Sequence, residues 1–390
     1  MLWLLLGCIG INTNRIPNQE LYADQGESRQ IRGQVGFAVV GDSRPALPLE
    51  GMKRNVTPAT QAAIAGDISS FIQDEYVKFV VLLGDVVQTS STTTWRAFTR
   101  NWQQVLSGTE PPVEGALRVR AVPVAGNHEA LFDSRLKGFG AAFQGVGADI
   151  GYNRVGSWYF FDLDVGGHVW RFLVLDSNRE TMGSRWTEQV KWLEKDGLEG
   201  NFDSVLVFMH HPLLTLGTGH EGNDGGAAKE LLSIVEDQAP IGSLKVVFSS
   251  HNHTNEVFMP SGKLGELYVN AGGGGAPADS LARWGDANVP GYDEIRLEPI
   301  YDLSLLKEFG RWAEARSIPE AIVEKGRGEG AYEGFIPVLD AKYFPIQGWW
   351  NVTLDQDDIT LTFRMVGADG AIKDLYSATR DGKEGWKIGR

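Results

Sequence analysis

Phe79-Val80-Val81-Leu82-Leu83-Gly84-Asp85 is the stretch on which the reading of this chain turns. Five apolar residues in a row stop abruptly at a glycine and a carboxylate. An unbroken apolar run of that length suits a strand buried on both faces, and Gly-Asp suits the turn at its carboxyl end. The pattern recurs: Phe37-Ala38-Val39-Val40 runs into Gly41-Asp42, and Ala121-Val122-Pro123-Val124 into Gly126-Asn127. Val205-Leu206-Val207-Phe208 leads to His210, and Val246-Val247-Phe248 to His251. Residues 158–165 and 169–176 read as two more strands joined by Gly166-Gly167.

Helical spacing fills the gaps. Thr57-Pro58 offers an N-cap and a first-turn proline ahead of Ile64, Ile68, Phe71 and Ile72. Trp95, Phe98, Trp102 and Val105 make a second apolar stripe. Trp186, Gln189, Val190, Trp192 and Leu193 make a third, and residues 228–235 a fourth. Strands alternating with helices predict an α/β architecture, in which ligands sit beyond the carboxyl ends of the strands. The polar motifs occupy those ends. Residues 350–354 and 359–363 alternate around an acidic turn, as the strands of a hairpin do.

Six motifs follow one another: GDSR at 41–44, GDVV at 84–87, GNHE at 126–129, HHP at 210–212, HNH at 251–253 and GGGG at 272–275. Five of the seven histidines (His128, His210, His211, His251, His253) lie in them, so imidazole is concentrated where carboxylates and an amide recur. Borderline divalent ions favour that mixture of oxygen and nitrogen donors. Taken singly, Asp42, Asp85 and Asn127 are ordinary turn residues; their joint placement is what points to metal. The glycine run lacks a following G-K-[ST], so it reads as a tight chain reversal and not as a phosphate cradle.

In this order the motifs resemble the calcineurin-like metallophosphoesterases, most closely the purple-acid-phosphatase-like branch, over about residues 36–277 and the final hairpin. The resemblance implies a four-layer α/β sandwich, two mixed β-sheets flanked by helices, with a C-terminal β-hairpin. It implies a phosphoric ester hydrolase that uses a metal-bound hydroxide, and two divalent ions (manganese, iron or zinc). Asp85 would bridge them, Asp42 and His253 would complete the first site, and Asn127, His210 and His251 the second. His128 would orient phosphate or protonate the leaving group, with Asn127 also on the substrate side. His220 resembles a substrate-side histidine, with a solvated loop histidine as the other reading; His211 reads as a hydrogen-bonding neighbour of the ligands, and His168 as a turn residue.

Two departures stand out. The first motif of the family usually reads D-x-H, and here it is Asp42-Ser43-Arg44. A guanidinium about 5 Å from a divalent ion, at an effective dielectric near 20, is repelled by roughly 6–7 kcal/mol before carboxylates offset it. Arg44 is therefore expected to point away from the first ion, to grip a substrate oxygen, and to leave that ion weakly held. Gln88 stands where purple acid phosphatases carry a tyrosine, so no tyrosinate is available and a colourless protein is expected.

The bulk composition sets bounds. With 390 residues and 42% hydrophobic content the chain can bury a large core. A net charge of -14 disfavours nucleic acid and anionic membrane as partners, although bound cations would still let an anionic phosphoester approach. Cys8, the sole cysteine, excludes an intramolecular disulfide and a thiolate metal cage. It follows Leu5-Leu6-Gly7, which resembles a bacterial lipobox, but no basic residue precedes it and the apolar run is shorter than a leader requires. Two readings stay open: a lipid-anchored protein of the cell envelope, with Cys8 lipidated, or a cytoplasmic protein whose leader is not real. No apolar run reaches the length of a membrane-spanning helix.

Residues 1–35 read as leader and linker, and residues 36–390 as one domain, with an irregular insertion near 276–348, a helix near 303–315, and the hairpin near 349–366. Trp95, Trp102 and Trp192 fit helix core faces, whereas Trp284, Trp312, Trp349 and Trp350 are candidates to line a substrate cleft. The rival to hydrolysis is a degenerate relative that binds a phosphorylated ligand or partner without turnover, kept open by Arg44. A further rival is a single structural metal.

Overall fold

The computed structural model describes residues 29–31, 33–44, 58–74, 76–106, 121–143, 157–215, 225–260, 267–276, 338–344, 347–366, 371–381 and 385–389. Cys8, His220, Trp284, Trp312 and the helix expected near 303–315 lie outside them. The described strands are β1 (Arg29–Ile31), β2 (Val35–Val40), β3 (Phe79–Leu82), β4 (Ala121–Pro123), β5 (Tyr159–Val165), β6 (His168–Val174), β7 (Ser204–Phe208) and β8 (Leu244–Ser249). They continue with β9 (Asn255–Pro260), β10 (Leu267–Ala271), β11 (Val338–Phe344), β12 (Gly348–Asp355), β13 (Asp358–Val366), β14 (Ile372–Asp381) and β15 (Gly385–Gly389). The helices are α1 (Pro58–Gln73), α2 (Thr92–Leu106), α3 (Asn127–Ala130), α4 (Lys137–Ala142), α5 (Arg179–Met182), α6 (Ser184–Trp192) and α7 (Gly225–Gln238).

Two mixed sheets result. One runs β15-β14-β13-β12-β2-β3-β4, with β2, β3 and β4 parallel; the other runs β1-β5-β6-β7-β8-β10-β9-β11, with β6, β7, β8 and β10 parallel. They pack face to face through apolar side chains, and an aromatic ladder crosses the join. Phe37 and Phe79 of the first sheet lie 5.2 and 5.7 Å from Phe172 of the second, which stacks on Phe208 at 5.7 Å; Phe208 stacks on Phe248 at 5.1 Å. Each such pair adds about 0.5–1.5 kcal/mol beyond area burial.

Helices cover the outer faces. The α2 stripe of Trp95, Phe98, Trp102 and Val105 is buried in the same core as β2 and β3. On the far side, Trp186 and Trp192 of α6 and Leu231, Leu232 and Val235 of α7 pack over Leu173, Val205 and Val247. The expected four-layer α/β sandwich and its C-terminal hairpin are therefore present; β12 and β13 pair from Gly348↔Met365 to Asp355↔Asp358.

Four expectations need correction. Within the stretch read as linker, Arg29–Ile31 forms an edge strand parallel to Leu163–Val165 of β5; three residues are too few to show a period. The hairpin is extended by β14 and β15, whose polar sequences hide the alternation. Trp349 and Trp350 do not line a cleft. Both are fully buried because β12 is covered on both faces: Trp349 Nε1 donates to Asp67 Oδ2 of α1 at 2.8 Å, and Trp350 Nε1 to Asn255 Oδ1 at 3.1 Å. His168 opens β6, past the turn, with Nε2 2.9 Å from Ser204 Oγ.

Candidate metal centre

Each parallel strand delivers its motif to the same rim of the sandwich. From the first sheet, Asp42 follows β2, Asp85 follows β3 and Asn127 follows β4; from the second, His210 follows β7, and His251 and His253 follow β8. Acidic and amide donors thus come from one layer and imidazoles from the other. The turns are tight: Asp42, Asp85, His251 and His253 all adopt positive φ, between 51° and 74°. Non-glycine residues rarely accept that conformation, and its concentration at four candidate ligands marks a site where packing holds the backbone in place.

The loops brace one another closely. Gly84 has φ +86°, and a Cβ on it would lie 2.6 Å from Gly126 N and 2.8 Å from His210 Nδ1. A Cβ on Gly126 would lie 2.4 Å from both N and Oδ1 of Asp85. Glu129, fully buried, ties these turns together: Oε1 accepts N–H groups from Val86 (2.9 Å) and Val87 (3.2 Å), and Oε2 from Asp85 (2.8 Å) and Gly126 (2.8 Å). Burial, with the Asp85 carboxylate beside it, pushes the Glu129 acid up to about 8, against the pull of those donors. The glycine run does not reverse the chain at the metal ligands but zips along motif I: Gly41 N–H donates to Ala271 O, Gly274 N–H to Gly41 O, and Ala276 N–H to Asp42 O.

Two groups of donors emerge. His210 Nδ1 lies 2.8 Å from Leu83 O, an atom that only accepts, so Nδ1 carries the proton and Nε2 presents a lone pair. That lone pair meets Asn127 Oδ1 at 2.9 Å, His251 Nδ1 at 3.1 Å and Asp85 Oδ1 at 3.4 Å. Oxygen and nitrogen lone pairs converging in this way suit a divalent cation. In the second group, ligand atoms of Asp42, Asp85 and His253 lie within 4.8 Å of one another, with His253 Nε2 3.4 Å from Asp42 Oδ1. The other Asp42 oxygen accepts the His251 N–H at 2.7 Å. Asp85 faces both groups, as a bridging carboxylate would.

His211 joins the imidazoles of the first group: ligand atoms of His210, His211 and His251 lie within 4.8 Å of one another, and its ring is 4.4 Å from that of His251. Its Nδ1 is 2.8 Å from Ser177 Oγ, which also accepts the His211 N–H at 2.9 Å. His128 donates its N–H to Asp85 Oδ1 (2.9 Å); its Nδ1 lies 2.7 Å from Gln88 O, and its Nε2 3.7 Å from Asp85 Oδ2. Arg44 departs from expectation. It does not point away: its Nε lies 4.0 Å from Asp85 Oδ2, with its side chain 2% exposed, and Nη1 donates to Gln88 Oε1 at 2.6 Å. The carboxylate that would attract cations attracts this one.

Sequence reasoning missed three supports. Glu129 lay in plain view within GNHE. Asp176-Ser177-Asn178 ends β6 in the same manner as the other motifs; Asn178 Nδ2 donates to Ala125 O at 3.0 Å, and burial raises the Asp176 acid above its ordinary value. Beneath HNH, the buried Glu256 accepts from Asn252 Nδ2 (3.0 Å), Thr254 Oγ1 (3.1 Å) and Asn270 Nδ2, while Asn270 Nδ2 also donates to Leu214 O (2.7 Å) in the loop after His210.

The calcineurin-like phosphoesterase model matches residues 38–255, more than half of the chain, which belongs to that family. Among solved structures it is similar to GAP50 of Plasmodium, described as the anchor in the inner membrane complex (15% identity, 92% of this chain and 90% of that one, TM-score 0.50). It is similar also to the purple acid phosphatase PPD1 of yellow lupin, Lupinus luteus (16% identity, 91% of this chain but 54% of that one, TM-score 0.54), and to PhoD (11% identity, 95% and 73%, TM-score 0.50). At such identities the likeness shows the fold alone. No curated protein matches significantly.

Proposed function

We propose that this chain is a metal-dependent phosphoric ester hydrolase. The observation that carries the reading is the convergence of Asp85 Oδ1, Asn127 Oδ1, His210 Nε2 and His251 Nδ1, with ligand atoms of Asp42, Asp85 and His253 within 4.8 Å of one another. Asp85 with Asn127, His210 and His251 would hold one divalent ion, and Asp85 with Asp42 and His253 another; manganese, iron and zinc all suit these donors. Such ions, when bound, supply Lewis-acid polarisation of the phosphoryl group and acidify water.

The chain's own groups do the rest. Gln88 O holds His128 Nδ1, so Nε2 is the atom left to face the substrate and to pass a proton to the leaving oxygen. The Leu83 carbonyl keeps His210 in the tautomer whose Nε2 can bind metal. The Glu129 clasp holds the Asp85 and Asn127 turns at a fixed spacing. Phosphoester substrates follow from this chemistry, and the test is Asp85→Asn: turnover of aryl phosphate monoesters and diesters with manganese, iron or zinc should be abolished, with the fold intact by circular dichroism. Retention of most activity would remove the proposal.

A second reading is a relative that binds a phosphorylated ligand without hydrolysing it. The buried Arg44 beside Asp85 favours it, and GAP50, named as an anchor, fits a non-hydrolytic use of the fold. Absence of turnover on that panel, with ligand binding retained, would select it. An envelope location rests on Cys8 alone; a lipid-free N-terminal peptide from the membrane fraction would exclude it.

A further inference from the structure

We infer that Arg44 is a built-in substitute for one of the two cations, so that the centre holds a single divalent ion tightly, on the Asn127, His210 and His251 side. The inference rests on the metal-binding reading above. Asp85 presents its two oxygens to different neighbours. Oδ1 accepts the His128 N–H and lies 3.4 Å from His210 Nε2, while Oδ2 lies 3.7 Å from His128 Nε2 and 4.0 Å from Arg44 Nε. A guanidinium stays protonated at any working pH. Its positive charge is therefore a permanent part of the surroundings of Asp85, one carboxylate oxygen of which also lies within 4.8 Å of ligand atoms of Asp42 and His253.

The guanidinium is held there. Its side chain is 2% exposed, so it has no water to swing into, and Gln88 Oε1 fixes Nη1 at 2.6 Å. Gln88 is itself tethered, its carbonyl accepting from His128 Nδ1 at 2.7 Å. Gln61 Nε2 donates to the carbonyls of Ser43 and Arg44 at 2.7 and 2.9 Å, which pins the main chain as well. A divalent ion bound to Asp85 Oδ2 would face a cation that cannot retreat. On the other side four donors converge and the His210 tautomer is already set. The two groups are thus unequal, and the inequality comes from the Arg44–Gln88 pair.

Calorimetric titration of the metal-stripped full chain with Mn²⁺, supported by native mass spectrometry, tests this. The wild type should take up one equivalent tightly and a second at least roughly 100-fold more weakly, and its electron paramagnetic resonance should be that of an isolated Mn²⁺. Arg44→Gln, which removes the charge and keeps an amide for Gln88, and Arg44→His, which adds a donor, should each gain a second tight equivalent and show a spin-coupled pair. Two matched equivalents in the wild type would overturn the inference and leave the hydrolase reading standing. One equivalent in the wild type and still one in both folded variants would overturn it too, because Arg44 would then not be what excludes the ion. No Mn²⁺ bound at all would remove the metal-dependent reading itself. Two matched equivalents in the wild type would overturn the inference even if neither variant folds.

Discussion

Replacing Glu129 by Gln changes one atom and should cost more stability than most core truncations. Both carboxyl oxygens are used twice: Val86 and Val87 donate to one, Asp85 and Gly126 to the other. An amide nitrogen has hydrogens and no lone pair to offer, so whichever way the Gln side chain is turned, two buried backbone N–H groups meet a donor. The comparison is made above pH 8, where Glu129, its acid raised to about 8, is ionised and offers lone pairs to all four N–H groups. Leaving a buried donor unsatisfied costs about 1–3 kcal/mol, which for two of them gives about 2–6 kcal/mol. Against a typical stability of about 5–15 kcal/mol that is a large loss. Urea unfolding of metal-stripped protein, followed by tryptophan fluorescence, should show the midpoint falling at unchanged slope. A loss below about 1 kcal/mol would refute the argument, because it would mean that the four N–H groups find other partners.

Two more outcomes are expected. Arg171 is 2% exposed, bidentate to Asp162 at 2.9 and 2.8 Å, and sandwiched between Phe160 and Phe202 at 4.0 and 4.2 Å; Arg171→Ala should lose about 3–5 kcal/mol in the same assay. Asp176 is an acid whose folded-state pKa is raised by burial. Its contribution is therefore fully present below its unfolded pKa and is lost as pH rises through the folded value. Melting curves of Asp176→Asn and wild type between pH 4 and pH 8 should diverge in favour of the variant as pH rises, and a gap that closes instead would show that burial is not the governing cause.

What could be read from the one-dimensional chain followed the physics of burial. Strands covered on both faces spell continuous apolar words, so β2, β3, β7 and β8 are legible together with the candidate ligands that follow them. Residues that act by pairing across long separations are not. Glu129 reaches Asp85 and Val86 across more than forty positions, and nothing local distinguishes its carboxylate from a solvated one. Arg44 was misjudged for a related reason: repulsion from an ion was weighed, but attraction to Asp85 and the Gln88 anchor needed coordinates. Trp349 and Trp350 border an irregular stretch, and only the packing of α1 and Asn255 against β12 shows them to be core.

Because oxygen donors ride on one sheet and imidazoles on the other, the candidate metal-binding rim is also a vernier between two slabs. Slippage by a single residue step along a strand, about 3.3 Å, would separate every carboxylate from every imidazole at once. The Phe37, Phe79, Phe172 and Phe208 stack resists it, together with the hydrogen bonds that join the sheets at the rim. Hydrocarbon packing thus helps to set the spacing of the candidate ligands, and hollowing out that stack should disturb the spacing without touching any of them.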